Sequence, residues 1–224
     1  MVYNIGMKNL YHGSELEIQF PKFGVGRKDC DYGSGFYMCD TFSSAAMWAS
    51  KNENGGFVNH YKITLSSLNV LRLNHQTEDD IMIWLSLLCA NRIDEETLLN
   101  NKEEIDYIIK NYYPDLSNVD MIIGYRADDS YYQYTRAFLN NDLPIELLKE
   151  AMMLGKLGLQ YVLISKKAFS SIKFVESKQV DHSDQYHELE AQADVEFNSL
   201  LNKRKIEQRY LRDIIREKRK HQRN

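Results

Sequence analysis

Apolar and polar residues alternate along several short stretches, the pattern of strands with one buried face. Residues 57–65 show the longest such run, and residues 159–165 are rich in residue types that favour strands. Strands are therefore predicted over residues 7–12, 35–39, 57–65, 69–73, 119–125, 159–165 and 172–175.

Apolar residues spaced three and four apart indicate helices in the rest of the chain. Pro114 ends one such stretch, and Pro144 fits the first turn of another. Helices are predicted after a cap at Thr41 or Ser43, over residues 78–90, 95–113 and 129–139, from Pro144 to near Gly155 or Gly158, and, as one helix or two, from His187 to the end.

The order of these elements predicts the fold class. Strands and helices do not alternate regularly as they do in βαβ units, and the sequence contains no internal repeat. We therefore expect an α+β domain built on a split, mostly antiparallel β-sheet with flanking helices. The domain is predicted to span residues 1–178, with a helical insertion over residues 78–113 and a helical C-terminal extension over residues 179–224.

Composition limits the class of protein and its location. With 224 residues and 43% hydrophobic content, the chain can bury one good core. It has no apolar run of signal-peptide length and no stretch of about 18 apolar residues, which predicts a soluble, cytoplasmic protein. The three cysteines lack CxxC spacing, and His182 and His187 have no cysteine nearby, so we expect neither disulfides nor a metal site.

Charge is divided unevenly along the chain. Residues 203–224 carry ten Lys or Arg against three Asp or Glu, which leaves 18 basic and 29 acidic residues in the remainder. A basic tail on an acidic body predicts either docking of the tail on the body or an arm that contacts nucleic acid or another acidic partner. A solvated helix end is the third interpretation.

The segment over residues 32–40 (YGSGFYMCD) is the strongest chemical signal in the sequence. Two glycines before an aromatic pair suit a backbone that passes close to a flat ligand such as nicotinamide. Tyr37 can stack under the ring, Ser44 or Ser43 can bond its amide, and Trp48 can form the opposite wall. The alternative is a glycine-rich turn whose aromatic residues belong to the core.

A second motif, residues 11–14 (YHGS), closes the first predicted strand. His12 can bond a ribose hydroxyl, and Gly13 lets the backbone approach the carboxamide. An ordinary turn with an unremarkable histidine is the alternative interpretation.

Together these motifs resemble a known family. Residues 33–48 are similar to the Gly-x-Gly-aliphatic-Tyr-x-x-Asp…Ser…aromatic signature of ADP-ribosyltransferases of the diphtheria-toxin and poly(ADP-ribose) polymerase branch, and residues 11–13 look like the His-Gly that opens that fold. Over roughly residues 8–176 the chain also resembles a family of small uncharacterised bacterial proteins of that superfamily. The resemblance implies the ADP-ribosyltransferase fold, NAD as the substrate, and a nicotinamide site formed by His12, Gly13, Ser14, Gly35, Phe36, Tyr37, Ser44 and Trp48.

Residues 160–163 (QYVL) depart from the third family motif, a Glu-Tyr-aliphatic-aliphatic strand whose Glu polarises the ribose 2′-hydroxyl. Gln160 can still accept a hydrogen bond, but it supplies neither a negative charge for a developing cation nor a base. Resemblance to members without the Glu implies mono-ADP-ribosylation or inactivity. Asp128 and Asp129 are candidate substitute carboxylates, or caps of a helix, and Arg126 could pair with a pyrophosphate or with those aspartates.

Two hypotheses follow. The first is an NAD-dependent mono-ADP-ribosyltransferase, a glycosyltransferase that modifies a protein or nucleic acid, as a bacterial toxin, a delivered effector or a defence component. The second is a catalytically inactive member that binds an NAD-like ligand or nucleic acid, with the basic tail as its main surface. The biology of the resembled families also implies an inhibitory partner protein that masks the cleft.

Overall fold

The computed structural model describes residues 7–75, 77–127, 129–152, 158–205 and 207–221. The strands are β1 (Met7–Ser14), β2 (Phe36–Met38), β3 (Gly56–Thr64), β4 (Val70–Leu73), β5 (Met121–Tyr125), β6 (Leu159–Leu163) and β7 (Ile172–Val180). The helices are α1 (Phe42–Ser50), α2 (Glu78–Arg92), α3 (Glu95–Asn100), α4 (Lys102–Tyr112), α5 (Asp129–Leu139), α6 (Ile145–Ala151), α7 (Lys166–Ser170), α8 (Gln185–Leu201) and α9 (Leu211–His221).

The strands form two sheets. One has the order β1-β3-β7 and is antiparallel throughout, and the other has the order β2-β6-β5-β4 with a single parallel pair, β4 and β5. A bridge between Tyr11 and Cys39, with both backbone hydrogen bonds at 2.8 Å, joins β1 to the residue after β2. The predicted α+β class with mostly antiparallel pairing is therefore confirmed.

Buried side chains form two main clusters on either side of the second sheet. One lies between the two sheets and includes Leu10, Tyr61 and Ile123. The larger one lies between the second sheet and the helices, and it includes Trp84 of α2 and Phe138 of α5. Such burial of one face of each element is the main source of stability for a domain of this size.

Among the described residues, two predicted elements differ from the structure by more than one or two residues at an end. The helix predicted over residues 95–113 is broken at Asn101, whose backbone leaves the helical region (φ −126°, ψ 31°) while its side chain donates to the Thr97 carbonyl. Asparagine bonds nearby backbone in this way and so competes with the helix. The last strand continues to Val180 because it pairs along the whole of β3, and the proposed boundary after residue 178 falls inside it. The predicted end of the helix that starts at Pro144 falls at residues 153–157, outside the described residues.

The C-terminal segment packs on the body and forms two helices. Tyr186, Phe197 and Leu211 belong to the larger buried cluster. Arg209 pairs with Glu78 at 2.6 Å, and the Lys218 ammonium lies 3.7 Å from the centre of the Tyr112 ring. Within the described residues, the tail therefore docks on the body, the first of the three interpretations of its charge. No described helix combines the length and the apolar character that crossing a membrane requires.

Candidate functional site

A cavity of about 760 Å³ lies where β1, β2 and β6 meet, beneath the long loop between β1 and β2. This volume is in the range typical of ligand sites. Its lining includes most of the residues that the sequence predicted for the site, which come from four separate parts of the chain: His12, Gly13, Gly35, Phe36, Tyr37, Trp48, Arg126 and Gln160.

The bridge between Tyr11 and Cys39 places His12 beside Tyr37. His12 Nδ1 lies 2.7 Å from the Tyr37 carbonyl oxygen, and its ring centre is 4.5 Å from that of Phe36. A carbonyl only accepts hydrogen bonds, so Nδ1 carries the proton and Nε2 has a free lone pair when the ring is neutral. Burial lowers the pKa of His12, and the bond to the Tyr37 carbonyl only partly opposes this, which favours the neutral form at pH 7.

Tyr37 is held at its hydroxyl by the glycine turn. The hydroxyl donates to the Gly33 carbonyl at 2.7 Å and accepts from the Tyr32 backbone N–H at 3.0 Å. Gly33 has φ +74°, a conformation that other residues rarely adopt. The turn therefore fixes the hydroxyl end of the Tyr37 ring, and the ring forms part of the cavity wall.

Gly13 has a packing role that the sequence did not reveal. A Cβ atom at this position would lie 2.0 Å from the Ala45 carbonyl oxygen of α1. The close approach of β1 and α1 therefore requires glycine, whether or not a ligand also passes near its backbone.

Arg126 is a buried cation with unused donors. Its Nη2 contacts Cys39 Sγ at 3.0 Å, while Nε and Nη1 have no hydrogen-bond partner among the described residues. The guanidinium carbon lies 4.6 Å above the Trp48 ring, which packs against Tyr186 at 5.1 Å between ring centres. Trp48 thus supports the cation from one side and forms an aromatic wall together with the start of α8.

Asp31 is a buried charged residue of this site that sequence reasoning missed. Its carboxylate is 6% exposed, with Oδ1 2.6 Å from Arg92 Nη1 of α2, and with Oδ2 accepting from the Ala127 N–H at 2.9 Å and from Gln160 Nε2 at 3.2 Å. Burial raises the pKa of Asp31, and Arg92 counteracts part of this increase. In the sequence, the one feature that could have indicated Asp31 is its position directly before the segment over residues 32–40.

Gln160 lies in β6 and is 5% exposed. Its Nε2 donates to Asp31, and its Oε1 is buried without a hydrogen-bond partner in the described part of the chain. A buried acceptor without a partner is unusual in folded proteins and suggests a place for a ligand donor.

Two described residues that were predicted for the site, Ser14 and Ser44, do not line the cavity. Ser14 donates to the Leu16 carbonyl at 2.6 Å, and Ser44 bonds Thr41 at the start of α1, so both serve local backbone structure. Asp128 lies outside the described residues, and Asp129 begins α5 with a side chain that is likewise outside them. Among the described residues, no group of three or more His, Cys, Asp or Glu could hold a metal ion.

The part of the loop over residues 18–31 also contributes to the cavity lining, which was not predicted. Phe20 and Val25 are 81% and 67% exposed and yet contribute to the lining. Asn59 of β3 anchors the start of the loop, because its Oδ1 accepts from the Ile18 N–H at 2.8 Å and its Nδ2 donates to the Leu16 carbonyl at 3.1 Å.

Comparison with known proteins gives one match. The family described as "Protein of unknown function (DUF3990)" matches residues 8–174, a range that contains every described strand except the first residue of β1 and the end of β7. No curated protein matches the chain. No solved structure matches it either.

Proposed function

We propose that this chain, which belongs to the DUF3990 family, is an NAD-dependent mono-ADP-ribosyltransferase with the split-sheet fold of that enzyme class. The observation that carries the proposal is the convergence of three groups in one aromatic-lined cavity: two buried polar side chains with atoms that have no partner among the described residues, and one histidine nitrogen able to accept a hydrogen bond. They are the free donors of Arg126, the free acceptor of Gln160 and the Nε2 lone pair of His12.

These groups match the parts of a dinucleotide. Leaving a buried polar group without a partner costs about 1–3 kcal/mol, and more for a charged group. A phosphate would satisfy Arg126, since guanidinium groups bind phosphate oxygens with paired N–H donors. Ribose hydroxyls would satisfy Gln160 Oε1 and His12 Nε2, and the Tyr37 ring offers a flat face for nicotinamide.

The proposed reaction breaks the bond between ribose C1′ and the nicotinamide nitrogen of NAD. The bonding electron pair passes to nicotinamide, which leaves as a neutral molecule, and an acceptor heteroatom forms the new bond to C1′ and loses its proton. In this reaction Tyr37 holds the leaving ring, Arg126, supported by Trp48, fixes the phosphate end, and His12 and Gln160 orient the ribose. Orientation of this kind lowers the barrier by removing freedom before the chemical step.

A second candidate is a catalytically silent member that binds an NAD-like ligand. The neutral side chain of Gln160 favours it, because an amide does not stabilise a cation at C1′ as a carboxylate does. The two candidates differ in turnover: the enzyme releases nicotinamide, whereas the silent protein binds NAD without consuming it.

The acceptor is proposed to be a macromolecule, protein or nucleic acid. On the described face of α9, exposed cations line a cleft of about 440 Å³ with Glu103 and Glu104, namely Arg212, Arg216, Arg219 and Lys220. Such a row supports contact with an acidic partner, and binding to nucleic acid would weaken steeply with salt.

The proposal is tested by incubating the protein with NAD labelled in its adenylate part and a cell lysate. Label should pass to a macromolecule while nicotinamide is released, and digestion with nuclease or with protease then identifies the acceptor class. His12→Ala should lower the rate about 100-fold, because the ribose loses one of its fixed partners.

His60→Ala is the matched control, since His60 lies in β3, bonds Asn9 and does not line the cavity. Equal transfer by the wild type and His12→Ala would exclude this cavity as the site. Binding of NAD without nicotinamide release would establish the silent protein instead.

A further inference from the structure

Asp31 and Gln160 form one buried pair inside the cavity. The two side chains come from the loop before β2 and from β6, and both line the cavity wall. Asp31 is held in place independently of Gln160, by the Arg92 guanidinium and by the Ala127 N–H. The carboxylate therefore acts as a fixed reference against which the Gln160 amide is oriented.

The pair determines which end of the amide faces the ligand. An ionised carboxylate only accepts hydrogen bonds, so the Gln160 amide nitrogen, and not its oxygen, lies against Asp31 at 3.2 Å. The amide oxygen is then directed away from Asp31, and it is the buried acceptor without a partner. A glutamine without this neighbour could flip and present either group.

Asp31 also provides the buried negative charge of the cavity. Asp29 is the other carboxyl group in the described lining, but its side chain is exposed to solvent. A charge acts over a longer range inside a protein than at a surface, where water screens it. Asp31 is therefore better placed than Asp29 to stabilise a cation that develops in the cavity.

We propose that Asp31 and Gln160 act as one unit, in which Gln160 presents its oxygen to a ribose hydroxyl and Asp31 orients the amide and supplies the negative charge. Asp31 is thus a positioning residue that works through Gln160. The inference rests on the proposed transferase function and extends it, because it assigns to two residues what one glutamate could do alone.

Exchanging the carboxylate of Asp31 and the amide of Gln160, in the full chain, tests this inference. Asp31→Asn removes the charge, and Gln160→Glu places two carboxylates in contact, which raises the pKa of one of them. Each single variant should lose transfer about 100-fold, while Asp31→Asn/Gln160→Glu restores a carboxylate and an amide in contact. The double variant should recover to within about tenfold of the wild type.

Binding and chemistry are measured separately. Asp31→Asn should change the NAD dissociation constant, measured by calorimetry, only about threefold, so that the loss lies in kcat. Asp106→Asn is the matched control, because Asp106 is exposed on α4, pairs with Lys102 and does not line the cavity. This variant should transfer label as the wild type does. If Asp31→Asn does not fold, Gln160→Met carries the test, since it keeps the volume of the side chain and removes the acceptor.

The outcomes are distinct. Absence of transfer by the wild type would overturn the proposed function, and this inference with it. Transfer by the wild type together with full activity of Asp31→Asn or Gln160→Met would overturn the inference alone. A double variant no more active than Gln160→Glu would also overturn it, because Asp31 would then have only a structural role.

Discussion

The protonation state of His12 results from two opposing influences on one residue. Burial disfavours the imidazolium, while the hydrogen bond to the Tyr37 carbonyl favours it, and the first is larger. The pKa of His12 in the folded protein is therefore below the ordinary value of 6.5. Between the two values the unfolded chain binds more protons than the folded one, so the free energy of unfolding decreases as pH falls through this window.

His12→Gln tests this sign, because glutamine can still donate to the Tyr37 carbonyl and does not titrate. Between about pH 7.5 and about pH 5.5 the wild type should lose more stability than His12→Gln does. Urea unfolding of both proteins at each pH measures the difference. If the difference in free energy of unfolding between the two proteins does not change with pH, burial does not lower the pKa of His12.

Which site residues could be predicted depends on how their signal is distributed in the chain. Tyr37 and Trp48 belong to one local motif, and both line the cavity. Asp31 and Arg92 meet across 61 positions, and neither has a local pattern that indicates a partner. Pairing at this range follows from the packing of α2 against the sheet, and without the fold it cannot be read from either segment.

At the scale of elements, the loop over residues 15–35 depends on Asn59 of β3. This side chain is fully buried. Its hydrogen bonds to the backbone of Leu16 and Ile18 take the place of the backbone hydrogen bonds that a neighbouring strand would make. A buried asparagine in a strand thus fixes the start of the loop that lines the cavity.

Asn59→Ala should make the start of this loop more mobile. The loss of the buried hydrogen bonds should cost about 1–3 kcal/mol, and trypsin should cleave faster after Lys22, Arg27 or Lys28. Asn9→Ala is the control, since the Asn9 side chain is exposed and contacts His60 across the sheet, away from the loop. Equal cleavage rates in the two variants would mean that the loop is held by its other contacts.

Element bounds could be predicted where periodicity alone determines them. The predicted helix over residues 129–139 coincides with α5, and the strands were found within a few residues except at β7. The residues that β7 adds, including Glu176 and Lys178, carry no hydrophobic pattern, because they pair with β3 at an exposed surface. Their strand conformation comes from the partner strand and not from their own propensities.

At the scale of the whole molecule, the C-terminal helices contribute to the core. Phe197 of α8 is 5% exposed, and its ring centre lies 4.1 Å from that of Tyr134 in α5. The sequence predicted helices here, but the charge of the tail obscured their buried face, because basic residues surround the few apolar ones in α9.

Phe197→Ala should therefore destabilise the whole domain by about 3–5 kcal/mol, the usual cost of truncating a buried phenylalanine. Val195→Ala, two residues earlier on the same helix, is the matched control, because Val195 is 71% exposed. It should change stability by no more than about 0.5 kcal/mol. Chemical denaturation measures both, and similar small effects would show that α8 does not contribute to the core.

The positions of the cavity-wall residues along the chain also determine when the site can form during synthesis. The wall includes His12 of the first strand, Gln160 of β6 and Tyr186 at the start of α8. A nascent chain emerges from the ribosome N-terminus first, so Tyr37 and Trp48 are present long before the strand and helix that complete the wall. The complete binding surface therefore cannot exist on a growing chain until the residues up to Tyr186 have been made.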